Sequence, residues 1–286
     1  MFYSSSKNNN IIWQNLISSR NVPNYFTELI DIEFDYFKKK ISEDNSEYQK
    51  NLINKIFDGA IIQLKNCLND DLINEIIDSS IQLSKKNIQN KTNCNENSKN
   101  YFYIQSNDMS LKGGYKTLDR SYYFFPWDSS SKKIFEKIYE YWRFIKILAG
   151  LNYNTYENNT PKDKIINRLH VIQYLKGGGT ISPHKDPYDS MKIQIGCVLN
   201  TYGQDYNEGG FSVFKNSKKK IFLEPKLIKG SLFCFFPSLF HTVDPIDPNE
   251  KINFESNKGR WFLSLTCVGS DLRKDRKKTT PINSLT

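Results

Sequence analysis

Three side chains in the second half of the chain have the types and the spacing of a metal site. His184 and Asp186 form a His-x-Asp motif, and His241 follows at the end of an apolar run. In an extended segment, residues two apart point to the same side, so this imidazole and carboxylate can converge on one ion. Two histidines and one carboxylate leave three coordination positions open. Such a donor set suits iron(II) that must also take up a cosubstrate and O₂.

The surroundings of the motif matter, because a His-x-Asp motif alone is common on protein surfaces. Glycines mark a turn before it at 177–179, and another after it at 209–210. Gly230 precedes the strand that leads to His241, and Arg260 opens the next apolar strand. We therefore interpret these features as parts of one constellation.

The second half of the chain reads as β structure. After about residue 166, short apolar runs alternate with turns rich in Gly, Asn, Asp and Pro, which is typical of a sandwich or jelly roll. No helical pattern interrupts them, which argues against a parallel α/β sheet. The predicted strands are 168–175, 192–199, 210–214, 221–223, 231–236 and 260–268.

Residues 1–100 read as mainly helical, and residues 101–286 as the β-rich core with the metal motif at 166–268. Apolar spacing predicts an amphipathic helix over 25–40, a helix that begins at Asp70 and another over 134–148. The run 60–64 predicts a short strand. The polar, Asn-rich stretch 86–100 predicts a loop, because it has nothing to bury.

The composition is that of a chain long enough to bury a core. It has 286 residues, of which 14% are aromatic, and a formal net charge of +9. Part of this charge lies in the tail 273–278, which could bind nucleic acid or anionic lipid, or be a solvated terminus. Five widely spaced cysteines without a Cys-x-x-Cys pair indicate neither a zinc cluster nor a disulfide framework.

Targeting signals are not evident. The first ten residues lack the basic-then-apolar order of a signal peptide, and no apolar run reaches the length of a membrane span. We therefore expect a soluble, cytoplasmic protein without a membrane partner. The sequence leaves the oligomeric state open.

Over residues 166–268 the sequence resembles the iron(II)/2-oxoglutarate-dependent oxygenase superfamily. The resemblance implies an α+β fold in which N-terminal helices pack against a double-stranded β-helix, a jelly-roll barrel with the metal inside its mouth. The residues that match the family pattern are Tyr174, Gly177–Gly179, His184, Asp186, Leu199, Asn200, Gly209, Gly210, Gly230, His241 and Arg260.

The resemblance also implies the cofactors, which are iron(II), 2-oxoglutarate and O₂. It assigns the metal to the His184, Asp186 and His241 triad and the distal carboxylate of 2-oxoglutarate to Arg260, with hydroxyl contacts from Tyr174 and Ser264. The family often has Arg-x-Ser, but Phe262 stands at that position here. Halogenases of the superfamily replace the metal carboxylate by a small residue. The presence of Asp186 therefore favours hydroxylation, desaturation or cyclisation.

A small-molecule substrate, amino-acid-like or a secondary metabolite, is the expectation we favour. Candidate substrate contacts are Arg120, Tyr122, His170 and Gln173. Core packing is the competing interpretation for the strand that contains Arg120 and Tyr122, and for His170. A long connection at 244–258 is interpreted either as a lid over the site or as a surface insertion.

Three other functions remain open. A peptidyl hydroxylase fits the Leu-Asn and Gly-Gly pattern, although prolyl hydroxylases usually carry Lys where Arg260 stands. A nucleic-acid alkyl demethylase fits the positive charge, but that family has a second arginine where this chain has Thr266. From a different class, the barrel could be a non-catalytic metal or ligand sensor. The complete triad together with Arg260 argues against a sensor.

Overall fold

The computed structural model describes residues 2–85, 94–95, 98–105 and 116–282. Most of the predicted loop 86–100 lies outside these residues. Within them, no helix is long and apolar enough to cross a membrane. The helix predicted to begin at Asp70 and the helix predicted over 134–148 are confirmed. The α-helices of the described residues are α1 (Phe2–Ser19), α2 (Phe34–Ser42), α3 (Ser46–Phe57), α4 (Asp70–Lys85) and α5 (Lys132–Leu148).

The predicted helix over 25–40 is wrong in its first half. Residues Leu29–Glu33 form strand β1, and helix α2 begins only at Phe34. Strand β1 pairs in parallel with β2 (Ile61–Lys65), which confirms the strand predicted over 60–64. The backbone of 29–33 completes a sheet edge there, and this tertiary pairing outweighs the local helical spacing.

All six strands predicted after residue 166 are present. Strands of the described residues hydrogen-bond in the order β1-β2-β10-β7-β12-β5-β4-β6-β11-β8-β9, with β3 beside β4 and β13 beside β6. The remaining strands are β3 (Tyr101–Gln105), β4 (Thr117–Phe124), β5 (Ile165–Leu175), β6 (Gly179–Lys185), β7 (Gln194–Val198), β8 (Gly210–Asn216), β9 (Lys219–Phe222), β10 (Leu232–Phe235), β11 (His241–Ile246), β12 (Gly259–Gly269) and β13 (Thr280–Pro281).

Strand β4 connects two parts of this sheet. It pairs with β5 through residues 120–124 and with β6 through residues 117–118. The sheet therefore continues from β12 and β5 into the strands β6 and β11, where the two histidines of the motif lie. The chain is a mixed α+β protein with one large sheet.

Strands β12 and β5 have two different faces, because successive side chains alternate. Trp261, Leu263 and Leu265 lie in the main hydrophobic core with residues of the helices, and we call this side the helix face. On the opposite side, the inner face, Phe262 packs with Tyr174 of β5 and with Val243 of β11. The inner face is thus turned toward the strands that carry the motif.

The five cysteines are buried, and none is bonded to another. Burial raises the pKa of Cys67 and Cys267 to about 12 and that of Cys94 to about 11. It also raises the pKa of Cys197 and Cys234 far above the ordinary value of a thiol. All five side chains are therefore protonated, inert thiols at neutral pH.

Candidate active site

The three residues of the predicted metal site come together where β6 ends and β11 begins. His184 lies in β6, and Asp186 follows that strand directly. His241 is the first residue of β11 and the cross-strand partner of His184. One potential ligand atom from each residue lies within 4.8 Å of the others. Sheet pairing thus places the donors of two distant segments around one point.

The ring orientation of both histidines is set by backbone carbonyls. His184 donates from Nδ1 to the carbonyl of Ser182 at 2.8 Å, and His241 donates from Nδ1 to that of Leu239 at 2.8 Å. Because a carbonyl only accepts, Nδ1 carries the proton in each neutral ring. The lone pair therefore lies on Nε2, which is the arrangement that metal-binding histidines use.

The environment of His241 keeps this imidazole neutral. Burial, together with the neighbouring His184, lowers the pKa of His241 to about 4. The rings of Phe235 and Phe211 lie 5.3 and 5.9 Å from the His241 ring, centroid to centroid. Since a metal binds the neutral form of histidine, His241 is available to an ion at neutral pH.

Arg260 lies on the inner face of β12 and is completely buried. Its Nε donates to Glu224 Oε1 at 2.8 Å. Its Nη1 and Nη2 have no hydrogen-bond partner among the described residues. Burial opposes its charge, but the carboxylate of Glu224 keeps the pKa of Arg260 above the ordinary value. Two paired donors on a buried cation match a carboxylate ligand in a two-pronged manner.

Glu224 holds Arg260 through its Nε. It follows β9 at the start of a short 3-10 turn and is 1% exposed. Its carboxylate also accepts hydrogen bonds from the hydroxyl of Tyr206 and from the backbone N–H of Phe211. All three donors fix one orientation of the carboxylate. Glu224 thus fixes Nε of the guanidinium, and Nη1 and Nη2 are left for another partner.

Tyr174 and Ser264 lie on the same face as Arg260. The guanidinium carbon of Arg260 is 5.7 Å from the ring centroid of Tyr174, its cross-strand partner. Ser264 is 4% exposed, accepts a hydrogen bond from Gln194 Nε2 at 3.2 Å and donates to the carbonyl of Ile195. Tyr174 therefore adjoins the arginine directly, whereas Ser264 lies four residues further along the strand.

His170 also lies on the inner face, as the cross-strand partner of Ser264. Its Nε2 is 3.0 Å from Ser121 Oγ, and its ring stacks on Tyr123 with 4.3 Å between centroids. Burial, and then the charge of Arg168, lower the pKa of His170 well below its ordinary value. His170 is thus a neutral, hydrogen-bonding side chain on the wall next to Ser264.

Arg120, Tyr122 and Gln173 are not brought to the triad. They lie on the helix face, since Gln173 is the cross-strand partner of both Trp261 and Arg120. Arg120 Nη1 donates to Gln173 Oε1 and to the carbonyl of Ser256, both at 3.2 Å. Tyr122 is fully buried and stacks on Trp261 at 5.7 Å. We therefore leave these three out of the proposed substrate contacts.

The connection 244–258 is attached to the protein at both ends. Gln173 Nε2 donates to the carbonyls of Ser256 and Lys258 at 2.9 and 3.0 Å. At its other end, Lys176 lies 2.9 Å from the carboxylate of Asp247. Gln173 of the helix face and Lys176, which follows β5, thus anchor this connection to the sheet.

Sequence reasoning missed Glu224, Tyr206 and Thr279. Thr279 Oγ1 donates to Asp186 Oδ1 at 2.7 Å across 93 residues of sequence. No local pattern marks any of the three. Thr279 directly follows the basic tail 273–278, whose composition is typical of a solvated terminus. The one signal that could have indicated Glu224 is charge, because a buried arginine needs a carboxylate partner.

Solved structures share this fold. The full-length thymine hydroxylase of Neurospora crassa in complex with alpha-KG, which is 2-oxoglutarate, aligns with a TM-score of 0.53 at 13% identity, covering 93% of each chain. The same hydroxylase in complex with alpha-KG and thymine aligns with a TM-score of 0.53 at 14% identity, covering 93% of this chain and 91% of that one. A Caulobacter crescentus protein assigned to the 2OG-Fe(II) oxygenase family aligns with a TM-score of 0.50 at 12% identity, covering 87% of this chain and 88% of that one.

At these identities, the similarity establishes the fold. No protein-family model matches the chain. No curated protein sequence is significantly similar to it.

Proposed function

We propose that this chain is an iron(II)/2-oxoglutarate-dependent oxygenase whose sheet forms the double-stranded β-helix of that superfamily. The observation that carries the proposal is the buried Arg260, whose Nη1 and Nη2 have no hydrogen-bond partner within the described part of the chain, on the face turned toward the strands of the His-Asp-His triad. A triad alone fits many divalent ions. A triad with a carboxylate receptor on the face turned toward its strands fits a metal that shares its site with a dicarboxylic keto acid.

His184, Asp186 and His241 would hold the metal. Their donor set, two neutral imidazoles and one carboxylate on one side, is that of iron(II) oxygenases. Arg260 would bind the distal carboxylate of 2-oxoglutarate, with Tyr174 beside it and Ser264 further along the same strand. Glu224 would keep the guanidinium in the orientation that presents its paired Nη atoms.

When bound, iron(II) with 2-oxoglutarate and O₂ supplies an oxidation of a C–H bond that is coupled to release of succinate and CO₂. The protein's own contribution is placement and exclusion of water. Phe211 and Phe235 form an apolar wall beside His241. Phe262 lies between Arg260 and Ser264 on the same face of β12. Because these apolar side chains exclude water, the ion pair between Arg260 and an anionic ligand is stronger than it would be in solvent.

A small polar molecule is the proposed substrate. The inner face beyond Ser264 carries hydrogen-bonding side chains that are compact and held in place: Gln194, His170 and Ser121. Such a wall suits a substrate with several polar groups. The alignment with the Neurospora crassa hydroxylase in complex with alpha-KG and thymine is compatible with a small substrate of this kind.

The nucleic-acid alternative loses part of its support. Arg273 of the basic tail pairs with Asp189 at 2.6 Å, and Arg276 pairs with Asp271. Two of the tail's five bases are thus neutralised by the protein itself, which weakens the tail as a surface for phosphates. A peptidyl substrate remains the first alternative, to be decided by the substrate screen.

The test is the visible spectrum of metal-free protein supplied with iron(II) and 2-oxoglutarate without O₂. We expect a weak charge-transfer band from the chelated keto acid. The band should vanish in Asp186→Ala and weaken in Arg260→Ala, and it should persist in Arg120→Ala, the matched arginine on the helix face.

Formation of succinate in the presence of amino acids, peptides and oligonucleotides then identifies the substrate class. If the metal binds but no band forms, the keto acid does not chelate there. In that case the oxygenase proposal fails, and the barrel is a metal-binding or sensing module.

A further inference from the structure

The C-terminal segment 270–282 returns to the strand that carries the metal ligands. Strand β13 pairs with β6, so that Thr280 lies opposite Lys185 and Pro281 opposite His184. The pairing continues with the backbone N–H of Ile282, which donates to the carbonyl of Pro183 at 3.0 Å. This places the segment alongside the candidate metal site.

Charged contacts hold this segment before it reaches β6. Arg273 Nη1 lies 2.6 Å from the carboxylate of Asp189 and donates to Ser190 Oγ at 3.1 Å. The backbone N–H of Ser270 donates to the carbonyl of Lys164 at 2.7 Å. Arg273 of the tail therefore has a structural task, which is to tie the segment to the protein near Asp186.

The two oxygens of Asp186 have different surroundings. Oδ2 lies 3.6 Å from Nε2 of His241, inside the cluster of potential ligand atoms. Oδ1 accepts the hydrogen bond from the hydroxyl of Thr279 at 2.7 Å. The side chain of Asp186 is 17% exposed, so packing alone does not fix its torsion. A single donor on one oxygen leaves the other aimed at the histidines.

We propose that Thr279 is a positioning residue for the metal ligand Asp186. Its hydroxyl holds Oδ1 and thereby presents Oδ2 as a single-oxygen ligand. Partners of this kind typically contribute about 10- to 100-fold in metal affinity, because they orient the ligand before the metal arrives. The proposal rests on the proposed metal-binding function of the triad. It adds to that function a residue from a segment outside the 166–268 motif.

The test compares Thr279→Val with Thr279→Ser in the full-length, metal-free protein. Valine keeps the shape and removes the hydroxyl, whereas serine keeps the hydroxyl. Thr280→Val is the matched control, since it makes the same change one residue along the strand, at an exposed side chain. The probe is cobalt(II) alone, titrated without O₂ and followed by calorimetry and by its visible absorption.

We expect Thr279→Val to raise the cobalt(II) dissociation constant about 10-fold or more. The Thr279→Ser and Thr280→Val variants should bind as the wild type does. Thermal unfolding of the metal-free variants separates an effect on affinity from an effect on stability. Both valine variants should have the same unfolding midpoint. Should Thr279→Val fold poorly, Thr279→Ala takes its place in the same comparison.

Two results would overturn the proposal, and they are distinguishable. If Thr279→Val binds cobalt(II) as tightly as the wild type, the hydrogen bond only docks β13 and the metal site stands without it. If the wild type itself binds no cobalt(II), the proposed metal function fails, and the positioning role fails with it.

Discussion

Arg260 and Arg120 are two buried arginines on opposite faces of one sheet, and their hydrogen bonds differ. Arg120 directs Nη1 at Gln173 and at the carbonyl of Ser256, so the end of its guanidinium is bound to the protein. Arg260 is held only through Nε, by Glu224, and its Nη1 and Nη2 have no partner among the described residues. The first arginine anchors a connection, whereas the second presents two donors.

This difference shows that burial alone does not identify a functional cation. Desolvation costs free energy for both side chains, and the protein recovers it by hydrogen bonds. At Arg120 internal acceptors provide part of this recovery through Nη1, while Nε has no partner among the described residues. At Arg260 no described residue satisfies the two donors that suit a carboxylate, a state that is expected where a ligand completes the set.

The largest expected effect is the loss of 2-oxoglutarate binding when the inner arginine is removed. Because Arg260→Met alone would leave Glu224 charged and buried, the comparison is Glu224→Gln/Arg260→Met against Glu224→Gln. We expect the dissociation constant of 2-oxoglutarate to rise about 100-fold, since a charge-assisted two-pronged contact contributes about 3 kcal/mol. Calorimetric titration of the metal-loaded protein without O₂ measures it. Equal affinities in the two variants would remove Arg260 from the cofactor site.

A second expected effect concerns Asp119, which neighbours Arg120 in sequence. Asp119 is 3% exposed and accepts hydrogen bonds from Thr117 and Ser121. Burial nevertheless raises its pKa from 3.8 to about 6. The folded protein therefore binds this proton more tightly than the unfolded chain does. The contribution of Asp119 to stability is greatest below about pH 4 and is lost as the pH rises to about 6.

The variant Asp119→Asn removes this titration. Its free energy of unfolding, relative to the wild type, should increase by about 2 to 3 kcal/mol between pH 4 and pH 7. Urea unfolding of both proteins across that range measures the change, with the wild type as the control. Curves that remain parallel would mean that folding leaves the pKa of Asp119 near its ordinary value.

The smallest expected effect is that of Arg120→Met on the helix face. We expect a loss of about 1 to 2 kcal/mol in the free energy of unfolding, because the carbonyl of Ser256 and Gln173 Oε1 lose a donor. The affinity for 2-oxoglutarate should stay unchanged. Arg20→Met, which breaks an exposed ion pair with Asp58, is the surface control and should cost less than about 1 kcal/mol. A weakened cofactor affinity in Arg120→Met would contradict the division into two faces.

The triad and Arg260 could be predicted because their signals are local. His184 and Asp186 are two residues apart, and the strands around His241 and Arg260 show apolar runs bounded by glycines. Alternation also separates Gln173 from Tyr174, since neighbours in a strand point to opposite faces. That signal was available in the sequence and excludes both from facing the same site.

Other features depend on contacts between distant segments. Glu224 meets Arg260 across 36 residues, and Thr279 meets Asp186 across 93. Neither pair follows a periodicity, so only the folded chain shows it. The strand Leu29–Glu33 was mistaken for helix for the same reason, because its partner Ile61–Lys65 decides its conformation.

The buried cysteines bear on how long such an enzyme would last. Chemistry with iron(II) and O₂ releases oxidants when a cycle miscarries, and thiolates are the side chains that such oxidants attack fastest. Here all five thiols are buried, with pKa values raised by that burial. Self-inactivation should therefore fall on the proposed iron ligands and nearby aromatic rings, and reducing agents should do little to prolong turnover.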